Sequence, residues 1–453
     1  MQHLRDLAER AVDGSEADLA EITVLASERS LVMQSGIMAE NHGPVGRLTG
    51  IARAFVSNRW GLCEFDDMDG MRAALDTAAA RAIHGSSPPV PFPMLSEEHR
   101  DTYDDCTGAL SPVDVSLREK AFLCRHYCEL LGASAGSGSA RVSYEQSRTD
   151  RITVNSRGTS LREIETLGSM RMEAVLPGGR VFMSETASRG SFEPFRGLEK
   201  KIEEAGKNLM ITETSTVIAP GKSRVVLAPE LTGILVHEAF GHLTEADFLE
   251  ANPAVAHMMR PGARIGSSRV SIVDDGGLLS MPGSMKWDYE GNPGARTVLV
   301  SEGVMGSWLH TGGTASRNGA EPTGNARIAE PGRPPEARMT CTYMEPGIPN
   351  LEELLKMLGN GLYLRGFMGG ATDMDRFSIA VQEAWTVRGG EIHKPVAPVV
   401  ISGRVTDFLT SVEETGNDLA ITGALRGCSR RGTNPVPVSY GGPHILIDGV
   451  QVT

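Results

Sequence analysis

Apolar and polar residues alternate along much of this chain, and the places where the period changes mark its elements. Period-two runs predict strands at 22–26, 30–34, 47–56 and 62–65, with Asn58-Arg59-Trp60-Gly61 as a turn. A meander is predicted at 141–148, 151–156 and 159–165, turning near Thr149-Asp150 and Arg157-Gly158. Helical spacing replaces alternation at 4–12, 69–83, 116–131 and 198–208. The Pro-rich residues 86–93 read as an extended connector, and the Gly/Ser-rich residues 132–139 as a flexible loop. Beyond about residue 215 the pattern shortens. Strands are predicted at 225–227, 270–273, 296–301, 306–309, 339–344, 377–387, 399–403, 437–440 and 444–447, with one short helix at 351–358. Residues 314–335 read as a long loop of a kind that is usually functional or disordered.

The expected fold class is α+β. Residues 1–215 form an N-terminal α/β domain with an antiparallel or mixed sheet. Residues 216–453 form a C-terminal β-rich domain around one buried, distorted helix. That helix opens at Pro229 and passes through Ile234-Leu235-Val236 into His237-Glu238-Ala239-Phe240-Gly241-His242.

Neutral imidazoles are good zinc ligands, and a glutamate beside a metal site is a candidate general base. The familiar metalloprotease pattern puts two histidines at i and i+4, about 40° apart on a helix. Here the spacing is i and i+5, which on a regular helix separates the rings by about 140°. The ligands can converge only if the helix is bulged or broken near Phe240-Gly241. Glycine accepts such backbone, and π-bulges recur at functional sites. A catalytic zinc commonly has three protein ligands. Candidates for the third are Glu245, Asp247, His257, His310 and Cys428, the last in a Gly-flanked loop.

Composition narrows the reading. Hydrophobic residues make up 40% and charged residues 22%, ordinary for a globular protein. A net charge of -13 argues against a nucleic-acid surface. No apolar run reaches the ~20 residues of a membrane helix, and the start is not of signal-peptide type. The cysteines Cys63, Cys106, Cys124, Cys128, Cys341 and Cys428 are scattered, so a reducing cytoplasm is expected. Cys124 and Cys128 share a helix face, where buried core thiols are favoured over a metal pair.

These residues resemble the TldD/PmbA family of peptidases, specifically its metal-bearing TldD branch. The likeness begins at His237-Glu238-Ala239-Phe240-Gly241-His242. It continues through Val273-Asp274-Asp275-Gly276, Asp288-Tyr289-Glu290-Gly291, Pro322-Thr323-Gly324-Asn325-Ala326-Arg327, Arg338-Met339-Thr340-Cys341-Thr342 and Gly427-Cys428. The resemblance implies a zinc metalloprotease whose Zn2+ is held by His237, His242 and Cys428, with Glu238 activating water. It implies small or unfolded peptide substrates entered as extended strands. It also implies a dimer, either of two copies or with a TldE (PmbA-like) subunit. Asp288, Glu290, Gly324 and Asn325 are candidate substrate contacts, with ordinary turn chemistry as the competing reading. Tyr289 stands where the family commonly has Asp, and Ser429-Arg430-Arg431-Gly432-Thr433 replaces the usual Gly-Lys-x-Gly-Gln. Two other functions compete: a metal-dependent amidohydrolase acting on a modified amide, and a non-catalytic peptide-binding or chaperone-like subunit.

Overall fold

The structure is a computed structural model. It describes residues 1–453 except 87, 96–98, 106–109, 137–138, 176–180, 214 and 431, and for 209–213 the backbone alone. Ser87, Cys106, Ser137, Gly138 and Arg431, each part of a reading above, lie outside the described residues.

The fold is α+β, as the alternation predicts. In the first half, Arg59–Phe65, Met38–Val56, Leu19–Ser35, Ser139–Asn155, Ser160–Val175 and Arg100–Asp104 lie side by side in a seven-stranded sheet completed by Val181–Arg189. The sheet is mixed: Arg100–Asp104 runs parallel to Ser160–Val175, and the other pairings are antiparallel. The helices Gln2–Asp13 and Met71–His84 bury Ala8, Val12 and Leu75 against Ile22, Ala54 and Ile152. Leu117–Ser134 and Glu199–Glu213 do the same around Tyr127, Leu131, Val142 and Ile202. Cys124 and Cys128 belong to this second cluster, where burial pushes the Cys124 thiol up to about 12. They are core thiols.

Several expected boundaries move. The strands at 22–26 and 30–34 are one strand, Leu19–Ser35, with an irregularity between Arg29 and Leu31. No turn interrupts the chain at Thr149-Asp150. Ser139–Asn155 is continuous, paired on both sides, and Asp150 bonds Arg162 across the ladder at 2.9 Å. Pairing on both edges overrides the turn preference of the two residues. The hairpin turn sits at Ser57 and Asn58, both with positive φ, and Trp60 and Gly61 already belong to the strand.

In the second half, Gly361–Asp373, Gly221–Leu227, Ile445–Val452, Val400–Arg404 and Arg376–Arg388 pair in that order, and the last pairs back to the first. The path therefore closes on itself. A six-stranded sheet follows the order Val304–Met305, Arg296–Ser301, Ile272–Asp275, Cys341–Met344, Val436–Gly442 and Ala420–Cys428. Residues 306–308 are not a strand, although the Gly306 and Ser307 N–H groups still bond the Leu299 and Val298 carbonyls. The loop predicted at 314–335 begins in a capped helix, Gly312–Asn318, and contains the short strand Ala326–Arg327, paired with Glu336–Ala337. Cys428 is not in a loop but ends the strand Ala420–Cys428. The strand was not apparent because Ala420 to Gly427 lacks a clean alternation.

The helix Pro229–Leu235 lies between the closed sheet and the six-stranded sheet. Leu231, Ile234 and Leu235 share one core with Leu227, Leu364 and Val381 from the first and Ile272, Met344 and Val438 from the second. Each such fully buried side chain contributes roughly 1.5–3 kcal/mol. Among the described residues, no helix is long and apolar enough to cross a membrane.

The two halves meet through buried ions. Glu163 accepts from Arg151 at 2.7 Å, from Arg189 at 2.8 Å and from the Lys286 backbone N–H at 3.0 Å. Burial pushes its carboxyl up, but the two guanidinium groups outweigh that and hold it below the usual range. Arg151 also donates to the Asp288 carbonyl at 2.7 Å and stacks over the Tyr289 ring at 4.5 Å. Tyr289, the departure from the family pattern, is thus a packing platform for an arginine.

Candidate metal centre

The helix does not stay α-helical through its histidines. Pro229–Leu235 is α, Val236–Phe240 is a π turn and Gly241–Thr244 is 3₁₀. The Gly241 N–H reaches back to the Val236 carbonyl, five residues earlier. A wider turn brings i+5 back over i. The His237 and His242 rings consequently lie 5.3 Å apart, centroid to centroid. The change of winding falls at Phe240-Gly241. A Cβ on Gly241 would stand 2.0 Å from the Met339 sulfur. Gly241→Ala is therefore expected to destabilise the protein by about 1–3 kcal/mol and to lower its metal content. A denaturation midpoint equal to that of the parent would show that Met339 simply moves aside.

His237, His242 and Cys428 converge: one ligand atom from each lies within 4.8 Å of the others. His237 is fully buried, and among the described residues neither of its ring nitrogens has a hydrogen-bond partner. Leaving a buried polar group unpaired costs roughly 1–3 kcal/mol, a cost that a bound cation would remove. His242 turns Nε2 toward the Cys428 sulfur at 3.6 Å and Nδ1 toward Glu245 at 3.2 Å. Burial opposes ionisation of Cys428, but the imidazoles of His237 and His242 hold its thiol well below the ordinary value. Burial also opposes protonation of His242, and the charges of Glu245 and Cys428 outweigh it, raising His242 well above its ordinary value. Two imidazoles and a cysteine sulfur are a donor set suited to zinc.

Glu238 follows His237 and is half-buried. Tyr440 packs beside His237, ring centroids 5.8 Å apart, and burial together with Glu185 and Glu238 pushes its phenol up. It therefore stays protonated at neutral pH.

Glu245 and Asp247, candidates for the third ligand, are engaged elsewhere. Glu245 is fully buried and takes Arg430 at 2.6 Å as well as His242. Burial opposes its ionisation, but His242, Arg430 and Arg338 depress it to about 2. A carboxylate behind a histidine fixes the tautomer and orientation of a ligating ring. Asp247 is bonded to Arg430. His257 is exposed, and His310 pairs with Thr314 at 3.2 Å, its imidazole pushed down to about 4 by burial.

The four candidate substrate residues have their groups taken up inside the chain. Asp288 is buried and accepts from the backbone N–H groups of Glu290 and Asn292 at 2.9 Å and of Ala326 at 3.1 Å. Burial and the neighbouring Glu290 push its carboxyl up. Glu290 accepts from Gly312 N–H at 2.7 Å and pairs with Arg53 at 3.3 Å. Gly324 has φ +73, and a Cβ there would meet the Pro293 carbonyl at 2.2 Å. Asn325 donates to Asp274 at 2.7 Å and to the Arg338 carbonyl at 3.0 Å. Asp274 also accepts from the Thr340 and Thr342 hydroxyls, both at 2.7 Å.

The family described as PmbA/TldA metallopeptidase C-terminal domain matches residues 220–453. The chain belongs to the PmbA/TldD family of metallopeptidases. A metalloprotease of Synechocystis sp. is 31% identical over 97% of this chain and 95% of its own. A zinc metalloprotease TldD homolog of Saccharolobus solfataricus is 33% identical over 51% of this chain and 52% of its own. The crystal structure of TldE from Thermococcus kodakarensis has the same fold, with a TM-score of 0.76 and 18% identity over 100% of this chain and 99% of that one. The sequence shows Arg338 and Arg430 only as parts of a motif and of a departure from it, and does not foretell their burial behind the cluster of this PmbA/TldD chain. A charged residue in a strand-rich stretch reads as solvated, and no local signal marks either one as buried.

Proposed function

We propose that this chain is a zinc-dependent peptidase acting on small or unfolded peptides. The observation that carries the reading is the fully buried His237, both ring nitrogens unpaired among the described residues, set against His242 and Cys428. His237, His242 and Cys428 would hold the ion. Bound there, zinc would polarise the scissile carbonyl and make a water molecule more acidic. Glu238 accepts the proton from that water and returns it to the departing amine. The partial exposure of Glu238 suits this exchange. The relative named a zinc metalloprotease supports the choice of metal.

Entry of the substrate as an extended strand is supported by the sheet order. Ala420–Cys428 is the terminal strand of its sheet and ends at the cluster, so an edge leads to the site. The reading includes a dimer, with a TldE-like subunit or with a second copy, and the shared fold with TldE fits such a partner. The N-terminal hairpin carries exposed Ile37, Met38 and Val45, apolar surface suited to such a contact. A cytoplasmic location fits the free thiols of Cys63, Cys124, Cys128, Cys341 and Cys428. The proposed division into domains, 1–215 and 216–453, fits the sheets: the strands of the first lie within 19–189 and those of the others within 221–452.

Metal removal tests the function. Incubated with unstructured peptides, the purified chain is expected to cleave them, lose that activity on chelation and regain it when zinc is restored. Mass spectrometry of the products and elemental analysis of the protein provide the readout. Cleavage that survives complete loss of metal would overturn the proposal.

A further inference from the structure

The largest fully buried side chain among the described residues is an arginine, Arg338. Burying a guanidinium is costly unless its donors are used. Its Nη2 donates to the Cys428 sulfur at 3.0 Å and to the Cys428 carbonyl at 3.1 Å. Its Nε faces Glu245 at 3.5 Å, and its Nη1 has no partner among the described residues. The one carboxylate it faces is shared with His242 and Arg430. The closest side-chain partner of this guanidinium is therefore the sulfur.

Arg338 is held there from behind. Its backbone N–H donates to the Asn325 carbonyl, and its carbonyl accepts from the Asn325 amide, both at 3.0 Å. Asn325 is in turn fixed by Asp274. A line of buried residues, Asp274, Asn325 and Arg338, thus ends on the sulfur of Cys428.

We infer that Arg338 is a positioning residue for Cys428, locking its side chain toward the histidines and withdrawing charge from its sulfur. The inference rests on the metal-centre reading and deepens it. A thiolate gives a bound cation more charge than an imidazole does, which weakens the cation as a Lewis acid. A charge-assisted hydrogen bond to the sulfur, in a low-dielectric site, takes part of that charge back. The arginine contacts sulfur and carbonyl of the same residue, so it sets orientation as well as charge. Asn325 acts through Arg338 and not on a substrate.

The test uses the full chain loaded with Co2+, whose thiolate-to-metal charge-transfer band reports the energy of the sulfur lone pairs. Arg338→Gln is expected to move that band to longer wavelength and to lower kcat/KM for peptide cleavage by about 10–100-fold. Arg338→Lys retains the charge but loses the planar contact to sulfur and carbonyl, so its band should fall between the two. If Arg338→Gln does not fold, the displaced band of Arg338→Lys carries the test. A band that stays in place in the folded variants overturns the role of Arg338 alone. A parent chain that takes up Co2+ with no thiolate band, or takes up none, overturns the metal-centre reading itself.

Discussion

Glu238→Gln is expected to lower the rate of peptide cleavage by about 10²–10⁴-fold and to leave the bound zinc unchanged. The substitution preserves the shape of the side chain and removes only its capacity to accept a proton. Glu238 is half-buried beside a fully buried His237, so it is next to the site without being part of the converging cluster. Zinc stoichiometry by elemental analysis and cleavage by mass spectrometry separate the two effects. Full activity in the variant would remove Glu238 from the chemistry. Loss of zinc would make it a ligand instead of a base.

Cys428→Ala is expected to abolish both zinc binding and cleavage, through a different cause. The side chain supplies one of the converging donors, 3.6 Å from His242, and is the sulfur that Arg338 contacts at 3.0 Å. Truncation takes away the closer of Arg338's partners and leaves Glu245, 3.5 Å away and shared with Arg430. Breaking a buried pair in this way costs about 3–5 kcal/mol, so the thermal midpoint should fall as well. Cys428→Ser, which keeps an oxygen near Arg338, should lose zinc with a smaller fall in midpoint. Stoichiometric zinc retained in Cys428→Ala would move the third ligand elsewhere, and Glu245 is the nearest buried carboxylate.

Local pattern was a good guide to the longer helices and missed the short ones Pro253–Met258, Gly312–Asn318 and Val405–Thr410. Leu351–Leu358 lies where its spacing predicts, closed by a capping box between Asn350 and Glu353. Leu117–Ser134 and Met71–His84 are within a few residues of their expected limits. The strands were less legible wherever their lengths depend on neighbours. Ser139–Asn155 runs through Thr149-Asp150 because Leu19–Ser35 and Ser160–Val175 pair with it on both sides. Ala420–Cys428 and Gly361–Asp373 carry several glycines and weak alternation, so their strand character comes from pairing.

For the site, the spacing of His237 and His242 already required a deformed helix, because backbone geometry alone sets where i+5 falls. Their residue types, with Glu238 between, already pointed to metal-dependent hydrolysis. The deformation is a π turn followed by a 3₁₀ turn, and only packing selects it: Gly241 is pressed against Met339. Tertiary structure alone also decided which distant donor arrives. Among Glu245, Asp247, His257, His310 and Cys428, the fold carries Cys428 to the histidines and turns Glu245 to the back of His242. It likewise buried Arg338 and Arg430, which no local pattern could mark. Residue chemistry and local spacing are written along the chain, whereas convergence and burial depend on which segments pack together. That is why the helix could be read from the sequence and its surroundings could not.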